Sequence, residues 1–387
     1  MEATATDHKK KKMKRWKKVV LWIVVIIVVL GLGVLLFLKF APIFGGHATS
    51  EDEKDYAKRS EVFKDGHFEN TGKFTVMVDT DKNDPRAISK KGTEPKEELP
   101  SVKAALDKYE SDKNSDNDEV KITWFGHSLL LIRIGEKNIL IDPMFAERSS
   151  PVSFVGPKRF SHPGIEIKEL PHIDAVLISH DHYDHLDMDA LKEIESKTDH
   201  FFVPLGIEKD LQRWDIPDKK VKNFAWWEET ELGDLRIACT PARHYSVRNG
   251  LDNGETLWCS WVLKDKNNSI YESGDSGYGD HFKQIRDRYG NFDIALLDCA
   301  QYNVKWPQVH MFPEEAARAS KELGSRQVMP IHWGALSLAE HGWDDPAERI
   351  VKAGEKENLT VVTPRIGETF ELVNADKYQQ RWWKKLK

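Results

Sequence analysis

Val19 to Leu38 reads VVLWIVVIIVVLGLGVLLFL, twenty consecutive residues without a charge, closed by Lys39. As a helix the run spans roughly 30 Å, the thickness of a bilayer core. Its richness in β-branched residues does not argue against a helix, because in lipid the backbone must satisfy its own hydrogen bonds and one helix does so most simply. A soluble core helix rarely runs this long without a polar residue. The closer rival is a cleaved signal peptide, whose apolar region runs about 7–15 residues and ends at an A-x-A-like site. This run is longer, and the KFAPIFGGHATS that follows offers no such site. The expectation is an uncleaved signal anchor over 19–39. His8–Lys18 (HKKKKMKRWKK) places eight Lys and Arg before the run, which predicts a cytoplasmic N-terminal tail (1–18), a single pass through the cell membrane and an extracytoplasmic remainder.

The rest of the 387 residues has a different character. Residues 1–40 carry a net charge of +7 and residues 41–387 a net of −13, which the overall −6 conceals. An acidic body lacks the basic face of a nucleic-acid binder, so no nucleic-acid partner is expected. Thirteen Trp and 17 Phe are too many for a disordered chain, and three Cys too few for a disulfide scaffold. Residues 40–118 are charge-dense (SEDEKDYAKRSE, TDKNDPRAISKKGTEPKEELP, SDKNSDNDE) and read as a polar tether with a partly ordered extension. Within it HFENTGKFTVM is a stretch that can pack on the domain, and 101–110 a short helix.

The compact domain is expected over 119–374. VKITWFG, SLLLIRIG and NILIDP are apolar runs separated by turns, hence consecutive strands. Ile173–Ser179 reads as a buried strand and Asp187–Ser196 as a helix capped by Asp187. Further strands are expected at Phe201–Val203, Leu235–Thr240, Thr256–Leu263, Ser269–Ser273, Ile294–Leu297 and Gln327–Ile331, with helices near Asp280–Tyr289, Pro313–Leu323 and Pro346–Glu355. Strands dominate early and helices intersperse later, which predicts two sheets with helices outside them, a four-layer α/β sandwich.

The chemistry concentrates in Ser179–Asp187, SHDHYDHLD, which contains H-x-H-x-D-H at His180, His182, Asp184 and His185. The motif sits where a strand ends before a helix. Side chains two apart in extended chain share a face, so His180 and His182 can grip one metal ion, while Asp184 and His185, past the turn, can face a second. Imidazole with carboxylate suits Zn²⁺ best, with Mn²⁺ or Fe as alternatives. A binuclear site needs further ligands at other strand ends, and His244 (TPARH), Asp275 (SGDSGY) and His332 (MPIHWG) stand there. Gly274 and Gly277 flank Asp275 and would let the backbone come close to an ion.

With these residues the chain resembles the metallo-β-lactamase fold superfamily, and within it the branch of N-acylphosphatidylethanolamine-hydrolysing phospholipases D. WFGHSLLLI, ILIDPMF, LISHDHYDHLD, TPARHYS, SGDSGY, HMFPEEA and MPIHWG carry the likeness from Trp124 to Gly334. The N-terminal apolar run is not a feature of that branch. The resemblance implies an αββα sandwich and two Zn²⁺ ions per chain, with His180, His182 and His244 on one metal, Asp184, His185 and His332 on the other, and Asp275 bridging. It implies a bridging hydroxide as nucleophile, oriented by Asp184, and His310 (VHMFPEE) as a contact of the substrate head group. A packing or capping role is the alternative for His310. Asp142 (LIDP) and His127 (FGHS) read as structural residues or partners of the ligands.

The expected activity is a membrane-anchored zinc-dependent hydrolase, a phosphodiesterase of the phospholipase D type acting on a phospholipid or lipid-like phosphodiester. The alternatives are a lactonase or other ester hydrolase of the same fold, and a non-enzymatic membrane module with a structural metal. Cys239, Cys259 and Cys299 lie in apolar strands and are expected to be buried free thiols. His341 and His162 have no assignable role and are expected in surface loops. The tail 375–387, with YQQRWWKKLK, sets Arg and Lys beside paired Trp, a composition that suits either a lipid headgroup interface or a solvated end.

Overall fold

The structure, a computed structural model, describes residues 2–80, 84, 86, 92–109, 119–250 and 252–386. The stretches 81–83, 85, 87–91 and 110–118 of the expected tether lie outside the described residues. The chain divides into two compact units, residues 1–45 and Gly46–Lys387. The first is one helix, α1 (Glu2–Phe40), followed by a 3₁₀ turn at Pro42–Phe44. Arg15–Phe40 is long and apolar enough to cross a membrane, with mean hydropathy 3.3 and none of its apolar window buried.

In chain order the second unit begins with α2 (Ser50–Arg59) and a short hairpin, β1 (Phe63–Lys64) and β2 (His67–Phe68). Then come β3 (Lys121–Trp124), β4 (Leu130–Ile134), β5 (Lys137–Ile141), β6 (Ile173–Leu177), α3 (Met188–Ile194), β7 (Thr198–Pro204), α4 (Ile207–Arg213) and β8 (Val221–Phe224). The second half carries β9 (Glu229–Leu232), β10 (Leu235–Thr240), β11 (Ser260–Lys264), β12 (Ser269–Glu272), α5 (His281–Tyr289), β13 (Ile294–Asp298), α6 (Pro313–Glu322), β14 (Gln327–Ile331), α7 (Asp345–Glu357) and β15 (Thr360–Val361). Last is β16 (Thr369–Glu371).

Two seven-stranded sheets result, ordered β16-β3-β4-β5-β6-β7-β8 and β15-β14-β13-β12-β11-β10-β9. Each is antiparallel over four strands and parallel over the other pairings. The period of two along each strand sorts the side chains into layers. Leu130, Ile132, Ile139 and Ile141 join Ile237, Cys239, Trp261 and Leu263 in the core between the sheets. Their neighbours Leu131 and Leu140 pack outward with Leu191 and Leu211 of α3 and α4. On the far side Ala238, Val262 and Leu297 pack with Ile285, Ala316 and Ile350 of α5, α6 and α7. Three buried layers between four layers of elements make the expected αββα sandwich.

Two boundaries differ from the sequence reading. The compact unit begins at Gly46, far upstream of Glu119. Helix α2 starts with a capping box, Thr49 Oγ1 accepting from Asp52 N while Asp52 Oδ2 accepts from Thr49 N. Tyr56 donates to the buried Glu208, and Arg59 makes a two-pronged contact with Glu228. The tail is the other correction. Trp382 and Trp383 are buried against Trp333, and their indole N–H groups donate to Pro364 O and Glu348 Oε1. Indoles held this way are core side chains and do not face a lipid headgroup layer. The three cysteines are buried and free, as expected.

Candidate metal centre

The loops that leave the strands at one edge of the two sheets bring all ten anticipated residues together. His180–His185 fill the turn between β6 and α3, and Asp187 caps that helix by accepting from Asp189 N and Ala190 N. His244 follows β10, Asp275 follows β12 and His332 follows β14 directly. His127 lies in the β3–β4 turn and Asp142 at the end of β5. Four residues of this edge adopt left-handed backbone, His127, Asp142, Gln301 and His332, with φ of 56°, 44°, 55° and 68°. Strained backbone of this kind persists only where the surroundings enforce it.

Two groups of donor atoms form. In the first, His180 Nε2 and His182 Nδ1 lie 2.9 Å apart, and His244 Nε2 lies 3.2 Å from His182 Nδ1. Asp275 Oδ2 completes it at 3.6 Å from His180 Nε2 and 3.7 Å from His244 Nε2. A tetrahedral zinc ion with bonds of about 2.0–2.1 Å has edges of about 3.3 Å, so these separations match its shell. In the second, Asp184 Oδ2 is 3.4 Å and Asp275 Oδ1 3.2 Å from His185 Nε2, and Asp275 Oδ1 is 3.1 Å from His332 Nδ1. The two oxygens of Asp275 therefore face different groups. His185 Nε2 and Asp275 Oδ1, both in the second group, are buried without a hydrogen-bond partner, a cost that native interiors avoid unless an ion takes it up. The residues fit a pair of metal ions.

Protonation states agree with that fit for four of the five imidazoles. Burial pushes His180, His244 and His332 well below the ordinary imidazole range, and His182 to about 3, so all four are neutral at physiological pH. His185 is the exception: burial works against its charge, but Asp275, Asp184 and Asp142 raise it well above the ordinary range, and an ion there would have to displace its second proton. Burial raises Asp275 to about 6. Burial would raise Asp184 as well, but His185 and His127 outweigh it and hold the carboxylate well below its usual range.

A second ring of contacts orients these groups. Asp142, fully buried, accepts from Ser179 N at 2.8 Å and from Ser179 Oγ at 2.6 Å, and pairs with His185 Nδ1 at 2.7 Å, which leaves Nε2 for the centre. His127 Nε2 lies 2.8 Å from Asp184 Oδ2. His310 Nδ1 lies 2.8 Å from Asp298 Oδ2, a pairing the sequence reading did not find. Its signal was present, because β13 is five buried residues ending in a carboxylate (IALLD). The glycines beside Asp275 also serve packing. A Cβ on Gly274 (φ +53°) would meet Cys259 O at 2.6 Å, and one on Gly277 would meet Gln308 O at 2.0 Å, so both serve close backbone packing. His341 is not in a surface loop: it is buried, stacks on Tyr302 and accepts from Gln301 N at 2.7 Å.

The centre borders a cavity of about 380 Å³ lined by His182, Asp184, Asp275, His310 and His332. Val76, Met77, Val247, Trp306, Val309 and Leu338 add apolar surface to its lining. The 67–78 stretch closes one side, through Asn70 Nδ2 donating to His244 O at 2.6 Å and Val78 N donating to Lys305 O at 2.8 Å.

Comparison with known proteins accords with this geometry. The pattern of the Beta-lactamase superfamily domain matches residues 137–333. An uncharacterized protein of Mycobacterium tuberculosis is 39% identical over 273 residues, 70% of this chain and 73% of the relative. An N-acyl-phosphatidylethanolamine-hydrolyzing phospholipase D of Caenorhabditis elegans is 32% identical over 298 residues, 71% of this chain and 84% of the relative. A solved metallo hydrolase of the archaeon Ignicoccus hospitalis superposes with a TM-score of 0.50 at 25% identity, over 65% of this chain and 97% of that one.

Proposed function

The chain belongs to the Beta-lactamase superfamily domain family and is a metal-dependent hydrolase, and from this premise we propose that it is a membrane-anchored phosphodiesterase with two metal ions, acting on a phospholipid such as N-acylphosphatidylethanolamine. His180, His182 and His244 would hold one ion, Asp184, His185 and His332 the other, and Asp275 both. Zinc is the metal that best suits this donor set. Bound there, a zinc pair supplies Lewis acidity toward a phosphoryl oxygen and lowers the pKa of water toward neutrality.

The protein's own groups do the rest. Asp184, held ionised beside His127, would orient the attacking water. Asp142 keeps the His185 proton on Nδ1. His310 faces the cavity; burial works against its charge, but Asp298 and Asp275 raise its pKa, so it carries positive charge toward a phosphate oxygen. The apolar lining from Val76 to Trp306 takes the first carbons of the lipid chains.

One observation carries this reading: a single carboxylate, Asp275, turns one oxygen to each donor group beside a cavity that is also lined by several apolar side chains. The C. elegans phospholipase relative supports the substrate class. The Arg15–Phe40 helix supports a single-pass anchor, and the Lys and Arg before its apolar run support a cytoplasmic N-terminus with the hydrolase unit outside. The test is to purify the full chain in detergent, count its metals, and assay N-acylphosphatidylethanolamine, phosphatidylcholine and a lactone. About two metals per chain with phosphodiester turnover is the expected outcome. Lactone turnover without phosphodiester turnover would refute it.

A further inference from the structure

Among the described residues of the Gly46–Lys387 unit, four large apolar side chains are exposed: Met77, Phe154, Val155 and Val373. Exposed apolar residues scattered singly need no explanation. Three of these share one neighbourhood; Val373 stands apart from the cavity lining. Met77 lines the metal-centre cavity. Phe154 and Val155 stand at the tip of a loop whose base residue, Ser149, lines the same cavity.

That loop is a stiff projection. Arg148 and Lys158 pair across it, Ser149 N donates to Pro157 O at 3.1 Å, and Arg159 N donates to Glu147 O at 2.8 Å. Arg148 Nη1 reaches forward to Gly156 O at 2.6 Å and braces the tip. Gly156 turns with φ +100°, and a Cβ there would meet Ser150 at 2.6 Å. The result is a supported finger that holds Phe154 82% exposed, with Val155 beside it.

We propose that the Phe154–Val155 tip, together with Met77, is an interfacial docking surface that inserts into a lipid bilayer and brings the cavity to the headgroup layer. The proposal rests on the lipid-substrate reading above and extends it to how the substrate is reached. A second copy of the chain is the weaker occupant. A stable dimer buries about 1,200 Å² or more of contiguous surface, whereas three side chains offer far less. A bilayer needs no complementary surface and takes individual apolar side chains at its interface. The same chain also carries a segment long and apolar enough to cross a membrane, so a bilayer is the apolar phase that accompanies it.

The experiment uses the full chain reconstituted in vesicles of phosphatidylcholine and phosphatidylethanolamine. Phe154→Cys is labelled with an environment-sensitive fluorophore, and Lys352→Cys, an exposed position on α7, is the control. Cys239, Cys259 and Cys299 are buried and stay unlabelled in the folded protein. The expected result is quenching by spin-labelled lipid at least about twofold stronger at position 154 than at 352, independent of the protein-to-lipid ratio. A paired Phe154→Ser, Val155→Ser variant should lose about tenfold in turnover of bilayer phosphodiester and keep its turnover of soluble bis(p-nitrophenyl) phosphate. A label at 154 as open to aqueous iodide as the control would overturn the proposal. So would protection that grows with protein-to-lipid ratio, which is the signature of a second copy. The fluorescence needs no turnover, so absence of phosphodiesterase activity would remove the substrate reading and leave the docking result to stand by itself.

Discussion

Replacing Asp142 by Asn changes one atom's chemistry in a fully buried site and gives a sharp outcome. The Asp142 carboxylate accepts two hydrogen bonds from Ser179, at N and Oγ, and one from His185 Nδ1. An asparagine keeps one acceptor. The backbone N–H of Ser179 can only donate, so the amide oxygen takes that position and the NH₂ group occupies the place of Oδ2. There it meets the Ser179 hydroxyl, which can rotate to accept, and His185 Nδ1, which must give up its proton. The imidazole then carries hydrogen on Nε2, the atom 3.2 Å from Asp275 Oδ1 and aimed at the second donor group. Loss of such an orienting contact costs about 10–100-fold in metal affinity, or about 1.4–2.7 kcal/mol. The first group does not contain His185, so the effect is expected on the ion that the second group would hold. Competition with a graded series of chelators, read by elemental analysis, should show a wild-type-like ion and a second released at 10–100-fold lower chelator strength. Release of both ions together at wild-type strength would refute the tautomer argument. A large fall in Tm without metal loss would instead make Asp142 a residue of fold stability.

Two further outcomes follow from buried groups away from the ligands. Trp383→Ala removes a fully buried indole packed on Trp333 and should cost about 3–5 kcal/mol in denaturant unfolding; a cost under about 1 kcal/mol would show that the C-terminal turn does not hold the core. Burial depresses the buried His281 from the usual 6.5 to about 3. A folded pKa below the unfolded one means that the unfolded chain binds the proton first, so stability is lost as pH falls through 6.5 toward 3. By pH 5 this group alone costs about 2 kcal/mol. His281→Gln should make the loss between pH 7 and pH 5 shallower by that amount, and an unchanged slope would show that His281 is charged in the folded protein.

The centre was legible because metal ligation demands unusual residues in unusual density. H-x-H-x-D-H cannot be loop filler, and His244, Asp275 and His332 each stand just beyond an apolar strand, the place where loops leave a sheet. Residues acting through others were harder to read. Asp298 is a lone carboxylate whose partner His310 lies twelve positions away, past a loop with no periodicity. His341 carries no neighbouring motif, and its burial comes from stacking on Tyr302, a contact set by tertiary packing. The order of residues 46–80 was hidden by composition. Helix α2 buries only Tyr56 and is otherwise polar, so nothing in its pattern announces a core face. The paired tryptophans of the tail illustrate an ambiguity of amphipathic side chains: an indole beside Lys suits a headgroup layer and a crevice equally, and only the acceptors at Pro364 O and Glu348 Oε1 decide between them.

The strand order has a consequence in time. The first sheet is not made from consecutive chain: its edge strand β16 arrives from the C-terminus and pairs with β3 through Thr369↔Thr123 and Phe370↔Ile122. While a ribosome is still extending the chain, β3 presents an open row of amide and carbonyl groups, and it keeps that open edge until the whole second half has been made. Such an edge is a template for pairing with other chains. The nascent protein is therefore most exposed to misassembly late in its synthesis, and a truncation that spares every residue of the metal centre but stops short of Thr369 leaves that edge unsealed.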